Sequence, residues 1–249
     1  AVNGVRQLVQ GQRPNWNGLL LSPANARKLA DQLAQMRGAA MKVGQLMSMD
    51  SGTMLPPEFA QILARLRSEA QPMPPSQLKK VLTAYWGPQW LRQFASFDVR
   101  PIAAASIGQV HRAKTKDGRE LALKIQYPGI RKSIDSDVDN IAMLIKMSGL
   151  LPRDLDITSL LEQAKQQLHD EAQYQREGQY LEQFGKFLAD KRDFKVPALY
   201  EDLTTPDILA MSYVSGHPIE ALASAPQATR DRVVGLLIQL LLLELFDFH

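Results

Sequence analysis

The chain has 249 residues, 45% of them apolar, enough for one large core or two small ones. A net charge of +3 is too slight a basic excess to support nucleic acid as a partner. With no cysteine there are no disulfides and no thiolate-bound metal. The first residues carry neither an apolar secretory stretch nor an arginine-rich transit pattern.

Ser22-Pro23 is a good helix start, a hydroxyl N-cap followed by proline at the first helical position. Leu29, Leu33, Met36, Ala40, Val43 and Met47 then follow steps of three and four along one apolar face. Lys42 lies at the flank of that stripe, where a lysine can simply snorkel to water. Gly44 costs roughly 1 kcal/mol relative to alanine inside a helix, which predicts close approach of another group to the backbone. Pro56-Pro57 ends this region and opens a helix with Phe59, Ile62, Leu63 and Leu66 inward. Pro72, Pro74 and Pro75 lead into another, bearing Leu78, Val81, Leu82 and Tyr85, so residues 1–94 read as a helical extension.

Residues 101–127 have the layout of a kinase nucleotide-binding hairpin with alanines in place of glycines. A protein-kinase glycine loop runs G-x-G-x-x-G-x-V before a strand carrying an A-x-K triplet. With Val110 on the final valine, Ala103, Ala105 and Gly108 fall on the three glycines. Asp117-Gly118 is read as a two-residue turn, whose central positions need positive φ. In the following strand Ala122 and Lys124 share one face, with Leu121, Leu123 and Ile125 on the other. That places a small residue and an ammonium together, suited to a purine and to phosphates. Taken alone, the same residues also fit a plain hairpin with a solvated lysine.

Between about Arg131 and Leu150, Ile134, Val138, Ile141 and Leu144 or Ile145 have helical spacing. A long helix is predicted from about Thr158 to Ala189, with Leu161, Ala164, Leu168, Tyr174, Leu181, Phe184 and Leu188 as its apolar side. It carries Glu171 and Glu177, either of which can hold a lysine ammonium against phosphates, as kinases require. Phe194–Tyr200 and Asp207–Val214 read as two further strands, the second leading to Ser-Gly where kinases place the hinge between lobes. The apolar run of Leu236 to His249 is too short for a membrane span and is interrupted by Gln239 and Glu244, which predicts a buried helix.

These residues together resemble the UbiB family of atypical protein-kinase-like proteins. The resemblance rests on Lys42-Val-Gly-Gln45 as a K-x-G-Q motif, the A-A-A-S loop of residues 103–106 and Ile107-Gly-Gln-Val-His111. It continues through Lys124-Ile-Gln-Tyr-Pro-Gly129 and the acidic segment Glu171 to Glu177, and covers the chain from about residue 20. The family's E-x-D pattern stands here as Glu171-Ala172-Gln173, without the aspartate.

The resemblance implies an α+β fold: a helical extension over residues 1–94, a kinase-like small lobe over 95–215 with an antiparallel sheet and a long acidic helix, and the start of a helical large lobe over 216–249. It further implies an ATPase or small-molecule phosphotransferase that takes ATP or ADP with Mg²⁺ and supports ubiquinone biosynthesis. Ala103, Ala104, Ala105, Ser106, Gly108, Val110, Ala122, Lys124, Met211, Ser212, Tyr213 and Val214 are its nucleotide-binding positions. Lys124 is assigned to phosphates with Glu177 as its partner and Glu171 facing the K-x-G-Q helix, the reverse assignment being open. Lys42, Gly44 and Gln45 form a regulatory motif projecting where a protein kinase receives its peptide, which argues against protein substrates. The kinase catalytic-loop aspartate and asparagine and the D-F-G aspartate are expected beyond residue 249, so no metal ligand is assigned, His249 included. A cytoplasmic protein, peripheral at the inner membrane, with the membrane surface or quinone-biosynthesis proteins as partners, is the matching expectation. A nucleotide-binding scaffold without phosphotransfer, or a lipid-binding accessory protein, are the rival readings.

Overall fold

A computed structural model describes residues 36–50, 72–148 and 157–248. The helix start at Ser22-Pro23, Leu29, Leu33, the helix after Pro56-Pro57 with Phe59, Ile62, Leu63 and Leu66, Leu150 and His249 lie outside these residues.

The elements in chain order are α1 (Arg37–Asp50), α2 (Pro75–Trp86), β1 (Phe94–Phe97), β2 (Ala103–Ala104), β3 (Gly108–Thr115) and β4 (Glu120–Gln126). They are followed by α3 (Ile130–Ser148), α4 (Thr158–Glu171), α5 (Tyr174–Phe187), β5 (Ile208–Ser212) and α6 (Gln227–Phe246). The five strands form one sheet in the order β1-β3-β4-β5, with β2 also paired to β3. Both β1 and β2 run antiparallel to β3, with Phe97 opposite Ala113 and Ala103 opposite Val110.

The chain divides into two compact units. Of the described residues, the first takes those up to Trp90, Val99–His111 and those within Lys124–Gln173; the second takes Leu91–Asp98, Arg112–Leu123 and those from Tyr174.

In the first unit α1, α3 and α4 pack on one another. α1 buries Ala40, Val43 and Met47, and α3 buries Ile134, Val138, Ile141 and Ile145, so Ile145 rather than Leu144 completes the α3 stripe. Pro75 opens α2 at its first turn, where a missing N–H costs nothing, and Leu78, Val81 and Leu82 face inward. Tyr85, expected with them, is exposed. Along β4 the side chains alternate as expected, Leu121, Leu123 and Ile125 fully buried between half-exposed Ala122 and Lys124.

The predicted Thr158–Ala189 helix is two helices. α4 stops at Glu171, and the Gln126 side-chain amide donates to the Ala172 carbonyl at 2.7 Å, taking up an acceptor left open by the helix end. From Leu168 to Tyr174 is a step of six residues, which turns the apolar face by about a third of a revolution and cannot continue one stripe.

In the second unit α5 packs on β5, whose Ile208, Leu209 and Ala210 are buried. Phe194–Tyr200 is not a strand of the sheet; Leu199 alone forms a bridge, to Met211. Pro197 lacks a ladder N–H, and only Ala198 and Tyr200 of the run exchange backbone bonds with Ser212 and Ala210. The β3–β4 turn is also longer than predicted. It takes four residues, Lys116–Arg119, and only Gly118 has positive φ, at 96°. The Thr115 side chain organises it, its hydroxyl donating to Asp117 and accepting the Arg119 N–H at 2.9 Å.

α6 departs from the burial expected of it. None of its residues is buried, and Leu237, Ile238, Leu241, Leu245 and Phe246 are exposed, because the described residues leave its apolar side uncovered. No described helix is long and apolar enough to cross a membrane.

Candidate functional site

The first unit gathers three of the sequence-predicted residues at one carboxylate. Glu171 ends α4; its Oε1 pairs with the Lys42 ammonium from α1, and its Oε2 accepts the Ser106 hydroxyl at 2.8 Å. The Lys42 side chain is 12% exposed and that of Glu171 34%, so the pair is partly withdrawn from water. Gln173, at the position of the missing aspartate, is exposed and turns its amide back toward the His169 carbonyl. Of the other motif residues on α1, Gly44 is buried and Gln45 exposed.

A second close approach joins α1 to the alanine-rich loop. A Cβ placed on Gly38 would stand 2.7 Å from the Ser106 carbonyl oxygen and 3.3 Å from the Ile107 side chain. Sequence reasoning singled out Gly44 and passed over Gly38. The available signal was the spacing, since Gly38 lies one helical turn before Lys42 and therefore on the same side.

The loop itself is a small hairpin. Ala103 and Ala104 pair with Val110 and Gln109, the Ile102 N–H donates to Val110 at 2.8 Å, and the Ala105 N–H to Gly108 at 2.9 Å. No non-glycine residue has positive φ among the described residues, so every alanine keeps ordinary backbone geometry. A glycine loop cradles phosphates with successive N–H groups; here the Ala105 N–H is given to the loop's own strand. Ile107, fully buried, fastens the loop's end by accepting the Tyr127 N–H at 3.0 Å.

Below the loop lies a buried polar pair that sequence reasoning missed. Gln109 Oε1 accepts the Met73 N–H at 2.8 Å, and its amide donates to His111 Nε2 at 2.7 Å. An amide nitrogen can only donate, so His111 accepts at Nε2. Polar residues at alternate positions on the inward face of β3 were the signal. Val110 and Lys124 are half-exposed positions between buried neighbours on β3 and β4.

The second unit holds Ala122, Glu177 and the segment Met211–Val214. Glu177 lies in the first turn of α5, where the positive end of the helix dipole favours a carboxylate. The Tyr213 N–H donates to the Glu120 carbonyl at 2.9 Å, and the Arg112 guanidinium lies 4.3 Å from the Tyr213 ring centre. Ser212 binds Ala198 twice, accepting its N–H through the hydroxyl and donating its own N–H, each at 2.8 Å. Lys114 and then Arg112, both hydrogen-bonded to the Glu120 carboxylate, hold its pKa below the usual range. Among the described residues no group of three His, Asp or Glu side chains is placed to hold a metal ion.

Residues 65–249 match the family profile described as the ABC1 atypical kinase-like domain. The yeast protein "Atypical kinase COQ8, mitochondrial" of Saccharomyces cerevisiae is 38% identical over 248 residues, covering 100% of this chain and 50% of that protein. The rat protein "Atypical kinase COQ8B, mitochondrial" is 41% identical over 229 residues, 92% of this chain and 43% of that protein. Among solved structures, the Mycobacterium tuberculosis Rv3197–erythromycin complex matches with a TM-score of 0.53 and 28% identity, over 94% of this chain and 56% of that one. The chain thus spans half or less of the length of these curated relatives.

Proposed function

Because the chain belongs to the UbiB family of ABC1-type atypical kinases, we propose that it is the nucleotide-binding part of an ATPase or small-molecule phosphotransferase supporting ubiquinone biosynthesis. The observation that carries this reading is the Glu171 carboxylate, which ties the K-x-G-Q helix to the alanine-rich loop through Lys42 and Ser106. Such a tie gives the loop one set conformation, the need of a protein that must hold phosphates without glycine flexibility.

In this reading Lys124 supplies the fixed cation for the phosphates. Glu177 is the acid this reading gives to Lys124, because a kinase needs a carboxylate to hold the ammonium against the phosphates. Val110 and Ala122 take the purine, and Met211–Val214 its edge. Lys42, Gly44 and Gln45 restrict access by a protein substrate. Mg²⁺ would offset phosphate charge; no cluster of three metal-ligating side chains stands among the described residues. Association with a membrane surface or with quinone-biosynthesis proteins, at the inner membrane, belongs to the same proposal.

The test is Lys124→Met in the full-length protein. Loss of ATP hydrolysis together with weakened nucleotide binding is the expected result. Unchanged hydrolysis would remove Lys124 from the site and leave β3–β4 an ordinary hairpin. Hydrolysis by the wild type without an added acceptor separates the ATPase from the transferase.

A further inference from the structure

We propose that Ser106 is the positioning residue through which the K-x-G-Q helix sets the conformation of the alanine-rich loop. The inference deepens the nucleotide reading and rests on it for its effect on ligand choice. The coupling itself rests on geometry alone.

Ser106 is held from two sides. Its hydroxyl donates to Glu171 Oε2 at 2.8 Å, while the other oxygen of that carboxylate takes the Lys42 ammonium. Its carbonyl oxygen occupies the place a Gly38 side chain would fill, 2.7 Å from the ideal Cβ. One residue of the loop therefore meets α1 through its main chain and, by way of Glu171, through its side chain. The neighbouring Ile107 is fully buried and Ala105 is bonded within the loop, so this end has no slack. Ala103 and Ala104 are exposed.

Each part of the arrangement has a chemical requirement. The acceptor is a carboxylate already paired with a cation, so its second oxygen needs no further charge, and a neutral serine hydroxyl satisfies it. The contact with Gly38 is to a backbone oxygen, which cannot rotate out of the way as a side-chain tip can. A displacement of α1 at Gly38 or Lys42 must move Ser106, and Ser106 carries the residues that stand in for the kinase glycines.

The experiment uses the full-length protein in four forms: wild type, Ser106→Ala, Ser106→Thr and Gly38→Ala. Amide hydrogen exchange at residues 103–107 reports the loop without any ligand, and calorimetry with Mg²⁺–ADP and Mg²⁺–ATP reports ligand choice. Ser106→Ala is expected to raise loop exchange and to change the ADP-to-ATP affinity ratio, each by about ten-fold, the size of one lost hydrogen bond to a charged group. Ser106→Thr keeps the hydroxyl and should restore both. Gly38→Ala should raise the same exchange from the α1 side. If Ser106→Ala leaves exchange and ratio at wild-type values, or if Ser106→Thr behaves as Ser106→Ala, the proposal is overturned. A wild type that binds neither nucleotide but shows the exchange pattern would sink the nucleotide reading and leave the coupling standing.

Discussion

Lys42 gives its ammonium to Glu171, the last residue of α4, with only 12% of the lysine side chain open to solvent. A carboxylate in the last turn of a helix faces the negative end of the helix dipole. The Lys42 cation offsets that, and the Ser106 hydroxyl takes the second oxygen. The pair is thus worth more than a surface ion pair, and the two partners are not equivalent.

Lys42→Ala leaves an uncompensated carboxylate at the helix end and should destabilise the first unit by roughly 1 to 2 kcal/mol. Glu171→Gln removes the offending charge along with the pair and should cost less. Urea unfolding of both variants checks the order. A larger loss for Glu171→Gln would mean that the ion pair does not offset the dipole.

Ala105 sits at ordinary negative φ with its N–H on Gly108. Ala105→Gly would widen the loop's choice of conformations by an entropy worth about 0.5 to 1 kcal/mol. The preference between ADP and ATP should shift as the loop gains freedom over the γ-phosphate. Calorimetry with both nucleotides decides; identical affinities in wild type and variant place the loop away from the phosphates.

Gly178 on α5 is a close-approach position of a different kind. Its ideal Cβ would meet the Leu199 methyl groups at 2.9 and 3.3 Å and a Leu209 methyl at 3.4 Å. Those are tips of flexible side chains, so Gly178→Ala should be near neutral, helix propensity of roughly 1 kcal/mol offsetting a small shift. Gly178→Leu overpacks the α5–β5 contact and should cost about 2 to 3 kcal/mol in thermal or urea unfolding.

The β3–β4 turn supplies a pH dependence. The Thr115 hydroxyl, and next Arg119, hold the Asp117 pKa below its ordinary value. In acid the unfolded chain takes up the proton first, so the stabilisation is present above the ordinary aspartate range and is lost as pH falls through the lowered folded value. Wild type should therefore melt above Asp117→Asn at neutral pH, and the gap should close below about pH 4. A gap that persists in acid would assign the effect to turn geometry rather than charge.

What the sequence by itself determined is what depends on neighbours along the chain. The alternation of Leu121, Leu123 and Ile125 against Ala122 and Lys124, and the α3 stripe from Ile134 to Ile145, follow from periods of two and 3.6 that any local window contains. The K-x-G-Q and alanine-loop motifs were equally local, and with them the family. Local reading also erred where a competing signal lay inside the same window. The six-residue step from Leu168 to Tyr174 marked the break between α4 and α5, and Pro197 marked the loss of a strand. The tertiary structure alone decided which groups meet across long separations. Gln126 closes the end of α4, Gln109 reaches the Met73 N–H, and Gly38 makes room for the Ser106 carbonyl. The sequence named Glu171 for Lys42 with Glu177 open in its place, and the packing of α1 on α4 brings Lys42 to Glu171. A hydrogen bond or ion pair depends on ångström-scale placement of two side chains, and chain spacing constrains that only within a few residues.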